Sequence, residues 1–273
     1  MTAPLPAADR GLRGALDDAL MLTWRYLKRI PRIPELAIFA VLQSIMFVLL
    51  FTIVFGGAIP LPGGASYSDY LMPGIFVQTL TFASATTAIG MTEDLHKGII
   101  DRFRSLPMAR SAVLLGRSVS DVIYNGGILI VLMLSGLAVG WSVHNGLGAL
   151  VLGILGCLAY AFVMSWVGIW LGLRLPTVEV AQQVSFMVIF PLTFVSNVFV
   201  PIGTLPDWIQ PIAAWNPVST LTASLRELWG NPNPFPAQGI PGEYPVFVTI
   251  GWMVVLLAVF VPLGVRRYRS ISN

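Results

Sequence analysis

The chain has 273 residues, of which 56% are hydrophobic and only 11% are charged, and its formal net charge at pH 7 is +3. With a mean hydropathy of +0.78, the chain has too little polar surface to cover a water-soluble globule. The composition therefore excludes a soluble globular protein and predicts a membrane protein.

The N-terminal segment predicts an amphipathic helix on the membrane surface. Its apolar residues recur at helical spacing, and its charged residues fall on other faces. The apolar set is Leu12, Leu16, Leu20, Trp24 and Leu27. Trp24, Arg25 and Lys28 are of the types that suit the headgroup region. We expect a cytoplasmic tail, residues 1–34, with an interfacial helix whose role beyond anchoring stays open. Because no signal-peptide pattern precedes the first apolar run, we expect that run to be retained.

Six apolar runs are long enough to cross a membrane. A hydrocarbon core about 30 Å thick needs roughly 20 apolar residues in a helix that rises 1.5 Å per residue. The predicted spans are residues 36–57, 70–91, 118–140, 147–173, 180–200 and 245–265. The sequence thus predicts an all-α membrane protein, residues 1–273, with six transmembrane helices in a single transmembrane domain.

The basic residues predict the orientation. Fifteen of the sixteen Lys and Arg residues precede span one, follow span six, or lie in the loops after spans two and four. Because basic residues near spans are retained on the cytoplasmic side, both termini and residues 92–117 should lie in the cytoplasm of a cell-membrane protein. Arg226 alone falls on the other side. Charge divided among short loops beside a bilayer fits membrane lipid as a partner and argues against nucleic acid.

Residues 93–107 predict a short amphipathic cytoplasmic helix that begins with two acidic residues and ends at Pro107. Its apolar face carries Leu95, Ile99, Phe103 and Leu106. Positive charge at this position would be explained by topology alone. A topology signal needs no apolar stripe, so the pattern favours a helix that docks onto a cytoplasmic protein.

The predicted spans contain one charged residue, Asp121. An intramembrane carboxylate is a candidate functional group. Arg117, four residues earlier, could pair with it on the same helix face, so a structural role and a role in proton coupling both stay open.

Other polar residues in the spans are candidates for a translocation path, with hydrogen bonding between helices as the alternative. They are Gln43, Gln78, Thr81 and Asn197. Gly136 with Gly140 and Gly168 with Gly172 form two GxxxG pairs, which either bring helices close or arise by chance. The two histidines and the single cysteine make no metal-ligand pattern, so we expect no metal site and no catalytic constellation.

The external segment, residues 201–244, is long for a simple connection. In its first half, TLPDWIQPIAAW predicts about two helical turns limited by Pro211. In WNPVSTLTASLRELWG, Asn216 suits a helix cap, Pro217 the first position and Gly230 the stop. The apolar stripe between them is Val218, Leu221, Leu225 and Trp229. We expect two short helices that lie at the outer face or dip into it, followed by an irregular loop.

Two stretches resemble a known family. DLHKGIIDRFRSLPMARSAVLLGR is similar to the loop between spans two and three in membrane subunits of ABC-2 type transporters, especially the daunorubicin-resistance permease group. PLTFVSNVFVPIGTLPDWIQPIAAWNPVSTLTASLR is similar to the C-terminal signature of that family. With six predicted spans and cytoplasmic termini, the resemblance covers nearly the whole chain.

The resemblance implies the permease subunit of an ATP-driven exporter. It would work as a dimer with an identical or homologous permease, together with two copies of an ATP-binding subunit. Residues 92–117 would contain the coupling helix that binds the ATPase. Its surface contacts would come from Asp94, Lys97, Asp101, Arg102 and Arg104, with Ile99 and Phe103 in the cleft of the ATPase.

No lysine of this chain lies in a GxxxxGK[ST] phosphate loop, so we expect ATP and magnesium on the partner and no cofactor on this chain. The cargo implied by the resemblance is a drug, an antibiotic or a lipid-like amphiphile. A polysaccharide or lipid-linked glycan is the alternative cargo, and a proton-coupled carrier or channel is a more distant alternative function.

Overall fold

A computed structural model describes residues 20–25, 27, 34–55, 66–99 and 110–271 of the chain. Within these residues the protein is helical and contains no strand. The helices are α1 Pro34–Phe55, α2 Tyr67–His96, α3 Arg110–Ala138, α4 Gly146–Gly172, α5 Val178–Phe194, α6 Gln210–Trp215, α7 Pro217–Trp229, α8 Ile240–Glu243 and α9 Pro245–Ser270. The predicted all-α class is confirmed.

Four helices in the described part of the chain, α2, α3, α4 and α9, are long and apolar enough to cross a membrane. Helix α5 has 17 residues, which at 1.5 Å per residue rise only about 25 Å. Helix α1 contains a shorter apolar stretch, Val41–Val54. The structure thus supports a membrane protein with four candidate spans, and the count of six stays a prediction.

Helix α5 ends at Phe194, six residues before the predicted end of its span. The N–H of Val195 closes the last turn on the carbonyl of Pro191. The following residues are buried but not helical, because their backbone groups bond to other parts of the protein. For example, the N–H of Asn197 donates to Ser219 Oγ on α7 at 3.1 Å. The helix is therefore shorter at this end than the predicted span 180–200, and the extent of the span in the membrane stays a prediction.

Helix α2 forms the centre of the bundle, since it is buried along most of its length and packs against α1, α3, α4, α5 and α7. Its closest neighbour is α4. A Cβ at Gly168 would lie 2.4 Å from the carbonyl oxygen of Ser84, and one at Gly172 would lie 2.4 Å from that of Ala88. This GxxxG pair is therefore a packing site. In the other pair, Gly140 lies beyond the end of α3, whereas a Cβ at Gly136 would lie 2.7 Å from Met72 Cε on α2, so only Gly136 allows a close approach between helices.

One end of the bundle, here called the basic end, gathers residues 20–25 and 27, the last turns of α2, α4 and α9, and the first turns of α3. Leu22, Met91, Leu114 and Tyr268 share one buried cluster there. Thr23 Oγ1 also donates to the carbonyl of Gly116 on α3 at 3.1 Å. The last turns of α2 and α9 and the first turns of α3 are predicted to face the cytoplasm, and this orientation stays a prediction.

The external segment packs against the opposite end of the bundle. The side chain of Asn216 caps α7 by accepting from the N–H of Val218 at 2.9 Å. Gly230 ends the helix in the left-handed region at φ +70°, a backbone conformation that favours glycine. The predicted apolar stripe of α7 is buried, including Trp229 at 0% exposure. This helix is confirmed, and Trp229 belongs to the core.

The helix preceding α7 begins later than predicted. Helix α6 starts at Gln210, and Pro211 lies in its first turn, where a missing backbone N–H costs nothing. From the sequence, we expected about two helical turns within TLPDWIQPIAAW, with Pro211 as the residue that limits the helix. The predicted start is wrong, because Leu205 and Pro206 are not helical and residues 207–209 form a turn.

The stretch after α2 also differs from its prediction. Helix α2 continues through Glu93 and Asp94 to His96, and a turn follows at residues 97–98. Gly98 takes φ +64° there, which ends the helix. The two acidic residues therefore close α2 and do not begin a separate docking helix. The remainder of the predicted helix, residues 100–109, lies outside the described residues.

Candidate functional site

A cavity of about 230 Å³ lies between α1, α2, α3 and α5. Its apolar wall includes the rings of Phe47, Phe82 and Phe186 from three different helices. The rings of Phe82 and Phe186 have centroids 5.9 Å apart. Gln43 and Thr86 also line the cavity and are exposed at the protein surface, so the cavity is open on one side. Such a wall suits a small molecule with an aromatic or aliphatic body.

Polar groups from α1, α2 and α3 share this cavity. They are Gln43, Gln78, Thr79, Thr86, Thr87, Asp121, Tyr124 and Asn125. Asp121 and Asn125 are one turn apart on α3 and both contribute to the wall. The side chain of Asn125 is 4% exposed, and its Oδ1 has no hydrogen-bond partner within the described part of the chain.

Asp121 is held by three donors from three helices. Arg117 Nε on α3 lies 3.1 Å from Asp121 Oδ1. Thr87 Oγ1 on α2 donates to Asp121 Oδ2 at 2.8 Å, and Ser165 Oγ on α4 donates to the same oxygen at 3.0 Å. The ion pair expected from the sequence is present. The other two bonds fix the carboxylate at the junction of α2, α3 and α4, which supports a structural role and leaves proton coupling as a prediction.

Arg117 also joins this site to the end of α2. Its Nη1 lies 3.8 Å from Asp94 Oδ2, and a Cβ at Gly90 would lie only 2.6 Å from its Nη2. The guanidinium therefore lies directly against the backbone of α2, between two carboxylates. Arg117 is 8% exposed and Asp94 is 2% exposed, and buried ion pairs of this kind are strongly destabilised when one partner is removed.

The structure brings together two of the four predicted path residues. Gln43 and Gln78 line the cavity. Thr81 lies outside it, because its hydroxyl is bonded to the carbonyl of Val77 at 2.8 Å and to Tyr160 Oη at 3.0 Å. Asn197 also lies elsewhere, in the buried segment after α5. For Thr81 the structure favours the alternative, a hydrogen bond between helices, since Tyr160 lies on α4. The side-chain Oδ1 of Asn197 has no hydrogen-bond partner among the described residues, and its role in a path stays a prediction.

The predicted coupling residues are only partly within the described residues. Lys97 has 57% of its side chain exposed and pairs with Glu93, and Ile99 packs at the edge of the cluster at the basic end. Asp94 was predicted as a surface contact, but it is buried, so that prediction is wrong. Asp101, Arg102, Phe103 and Arg104 lie outside the described residues, and their coupling role stays a prediction.

Of the three residues predicted for the interfacial helix, the structure describes Trp24 and Arg25. Residues 20–25 are helical, and Trp24 is 62% exposed while Leu22 is buried. The helix thus turns one face to the bundle and leaves Trp24 outside, as expected for a headgroup anchor. Arg25 is exposed, and Lys28 lies outside the described residues.

Sequence reasoning missed the environment of Arg226, a residue of α7 that is 0% exposed. Its Nε and Nη2 donate to the carbonyl of Tyr70 at 3.0 and 2.8 Å, and Nη2 also donates to the carbonyl of Asn197 at 2.9 Å. The guanidinium carbon lies 3.7 Å from the ring centroid of Tyr70. The signal was present, since Arg226 is the single basic residue predicted on the outer side. Its contacts tie α7 to the start of α2 and to the end of α5.

An all-helical bundle with four candidate membrane spans and a small, partly polar cavity has the features of a transport protein. The family model described as ABC-2 type transporter matches residues 18–228, and the chain belongs to this family. It is the permease subunit of an ABC exporter.

Several relatives cover nearly the whole chain. The daunorubicin resistance ABC transporter permease protein DrrB1 of Streptomyces coeruleorubidus is 32% identical over 97% of this chain and 91% of its own length. The probable doxorubicin resistance ABC transporter permease protein DrrC of Mycobacterium tuberculosis is 26% identical over 96% of this chain and 93% of its own length. The protein named putative transport permease ycf38, of Cyanophora paradoxa, is 22% identical over 94% of this chain and 89% of its own length.

Proposed function

We propose that this chain is one of two permease subunits of an exporter that moves a drug, antibiotic or lipid-like amphiphile out of the cell. The observation that carries the proposal is the cavity between α1, α2, α3 and α5, whose aromatic side chains and few polar groups suit such a cargo. The names of the two resistance permeases among its relatives support the same cargo class.

The proposed topology has six spans, α1 to α5 and α9, in one transmembrane domain with both termini in the cytoplasm. Three basic residues in the last turns of α9 and the basic loop after α2 support this orientation. The basic end of the bundle would then face the cytoplasm, and α6, α7 and α8 would lie at the outer face.

The proposed partner is an ABC ATP-binding subunit, present in two copies, which supplies ATP and magnesium. Residues 92–117 would form its docking site, with Phe103 in its cleft and Lys97, Asp101, Arg102 and Arg104 around it. This chain would bind no cofactor itself. Its own contribution is mechanical, because α2 leads from that loop directly into the wall of the cavity.

A second permease, identical or homologous, would cover the open side of the cavity. Helices α1 and α5 both line the cavity and both carry large exposed apolar residues, including Phe39 and Met46 on α1 and Met187 and Phe190 on α5. In a single chain these side chains face lipid. A dimer through this face would enclose the cargo between the two subunits.

Purification of the tagged chain from its own membranes in mild detergent tests the proposal. Mass spectrometry of the eluate should find an ATPase with a phosphate-binding loop in a stoichiometric amount, and the eluate should hydrolyse ATP. Phe103→Asp should release that ATPase, because a carboxylate cannot enter an apolar cleft without loss of its hydration.

Phe235→Asp is the matched control, since Phe235 is 54% exposed in the outer segment and the chemical change is the same. It should retain the ATPase. Repeated preparations of the wild-type chain without an ATPase would overturn the proposal and favour a carrier or channel. An ATPase retained by Phe103→Asp would overturn only the docking site.

A further inference from the structure

We infer that the cavity selects an organic cation, an aromatic amphiphile with a protonated amine, and that Asp121 is the residue that recognises the amine. The inference rests on the proposed export function and specifies its cargo. It starts from the formal charge of the cavity wall. Asp121 is the only charged side chain among the described residues that line the cavity, and none of those residues is Lys or Arg.

The carboxylate is positioned for such a contact. Arg117 Nε approaches Oδ1, while Thr87 and Ser165 both donate to Oδ2. Arg117 itself does not line the cavity, whereas Asp121 does. The side chain of Asp121 retains 14% exposure. A protonated amine entering from the cavity therefore meets a carboxylate whose orientation is already fixed by the protein, which reduces the entropy lost on binding.

Asn125 gives independent evidence for a polar ligand beside Asp121. Its side chain is buried, it lines the cavity, and its Oδ1 accepts no hydrogen bond from the described residues. A buried amide oxygen without a partner is costly, and the missing donor is expected from a ligand or ordered water. The amide can donate and accept at once, so it suits the hydroxyl or carbonyl groups of a drug-like molecule.

The same wall argues against the alternative cargo of a lipid-linked glycan. Such lipids carry phosphate groups, and proteins bind phosphate through Arg, Lys or clustered backbone N–H groups. The described wall offers a carboxylate instead, which repels an anion. The three aromatic rings of Phe47, Phe82 and Phe186 would contact the apolar body of the cation, and Tyr124 provides a fourth ring close to Asp121 in sequence.

Binding of two probes to the full-length chain in lipid nanodiscs tests the inference. Daunorubicin carries a protonated amine, and its N-acetyl derivative has the same rings without the charge. The saturable fluorescence change, after subtraction of empty nanodiscs, gives both dissociation constants. We expect wild-type protein to bind the amine at least about tenfold more tightly, because a hydrogen bond to a charged group is worth about that factor.

Three variants locate the effect. Asp121→Asn should reduce the preference for the amine to within about twofold, and Asn125→Ala should weaken both probes while leaving their ratio unchanged. Asn125→Ala removes an oxygen without a protein partner, so the fold should tolerate it. Asp207→Asn is the control, because it removes an exposed carboxylate from the outer segment, and it should change neither constant.

Equal binding of the two probes to wild-type protein, or saturable binding of neither, would overturn the inference. A preference that survives in folded Asp121→Asn would overturn the role of Asp121. If Asp121→Asn does not fold, unchanged binding by Asn125→Ala would show that the site lies elsewhere. Co-purification of an ATPase is independent of these results, so the export function can stand while the cargo class fails.

Discussion

Gly168 provides a direct test of the contact between α2 and α4. In the Gly168→Ala variant, the new Cβ would lie 2.4 Å from the carbonyl oxygen of Ser84 and 2.9 Å from Thr87 Cβ. Carbon–oxygen contacts in proteins are about 3.3 Å or longer, so the two helices would have to separate by about 1 Å at this point. Overpacking of this kind costs about 1 to 3 kcal/mol.

The matched control is Gly156→Ala on the same helix, because a Cβ at Gly156 meets no atom within 4 Å. Both variants gain the same helix propensity, at most about 1 kcal/mol, so their difference isolates the contact. A cost of 1 to 3 kcal/mol corresponds to a decrease in Tm of about 2 to 12 °C. Thermal unfolding of the purified protein in one detergent, at one heating rate, measures it. Equal Tm values for the two variants would refute the close contact.

Two further predictions concern the outer segment and the orientation. Arg226→Lys should lower the Tm in detergent by several degrees. One ammonium cannot replace two guanidinium nitrogens that bond to Tyr70 and Asn197. A Tm equal to that of the wild type would contradict the buried position of Arg226. In a background without the native cysteine, a membrane-impermeant maleimide on intact cells should label Asp207→Cys and not Lys97→Cys, and the reverse pattern would invert the proposed topology.

Local signals in the sequence were enough to define α7. The capping amide of Asn216, the proline in the first position and the left-handed Gly230 all act within one or two turns of the helix ends. Pro211 shows the limit of such reasoning, because proline is compatible both with the first turn of a helix and with a break in it. The choice depended on the packing of the segment, and the structure placed Pro211 at the start of α6.

Burial of charge could not be predicted from local patterns. Asp94 and Arg226 are of types that are almost never fully buried unless paired, and their partners come from distant parts of the chain. Arg117, the partner of Asp94, is 23 residues away, and the carbonyl of Tyr70 is 156 residues from Arg226. The cavity is a similar case, since Gln43, Phe82 and Phe186 approach one another only when three helices pack. The Asp121 ion pair was predictable because both residues lie on one helix.

In the proposed exporter, α2 would connect the loop that follows it to the cavity that holds the cargo. Its 30 residues form one helix, about 45 Å long, which carries Phe82 and Thr86 in the cavity wall and Asp94 near its end. Gly168 and Gly172 bring α4 against its backbone, and Arg117 on α3 bonds near the same end. In the proposed exporter, a shift of the loop would therefore move α2 together with its cavity residues and with the donor Thr87, which orients the Asp121 carboxylate.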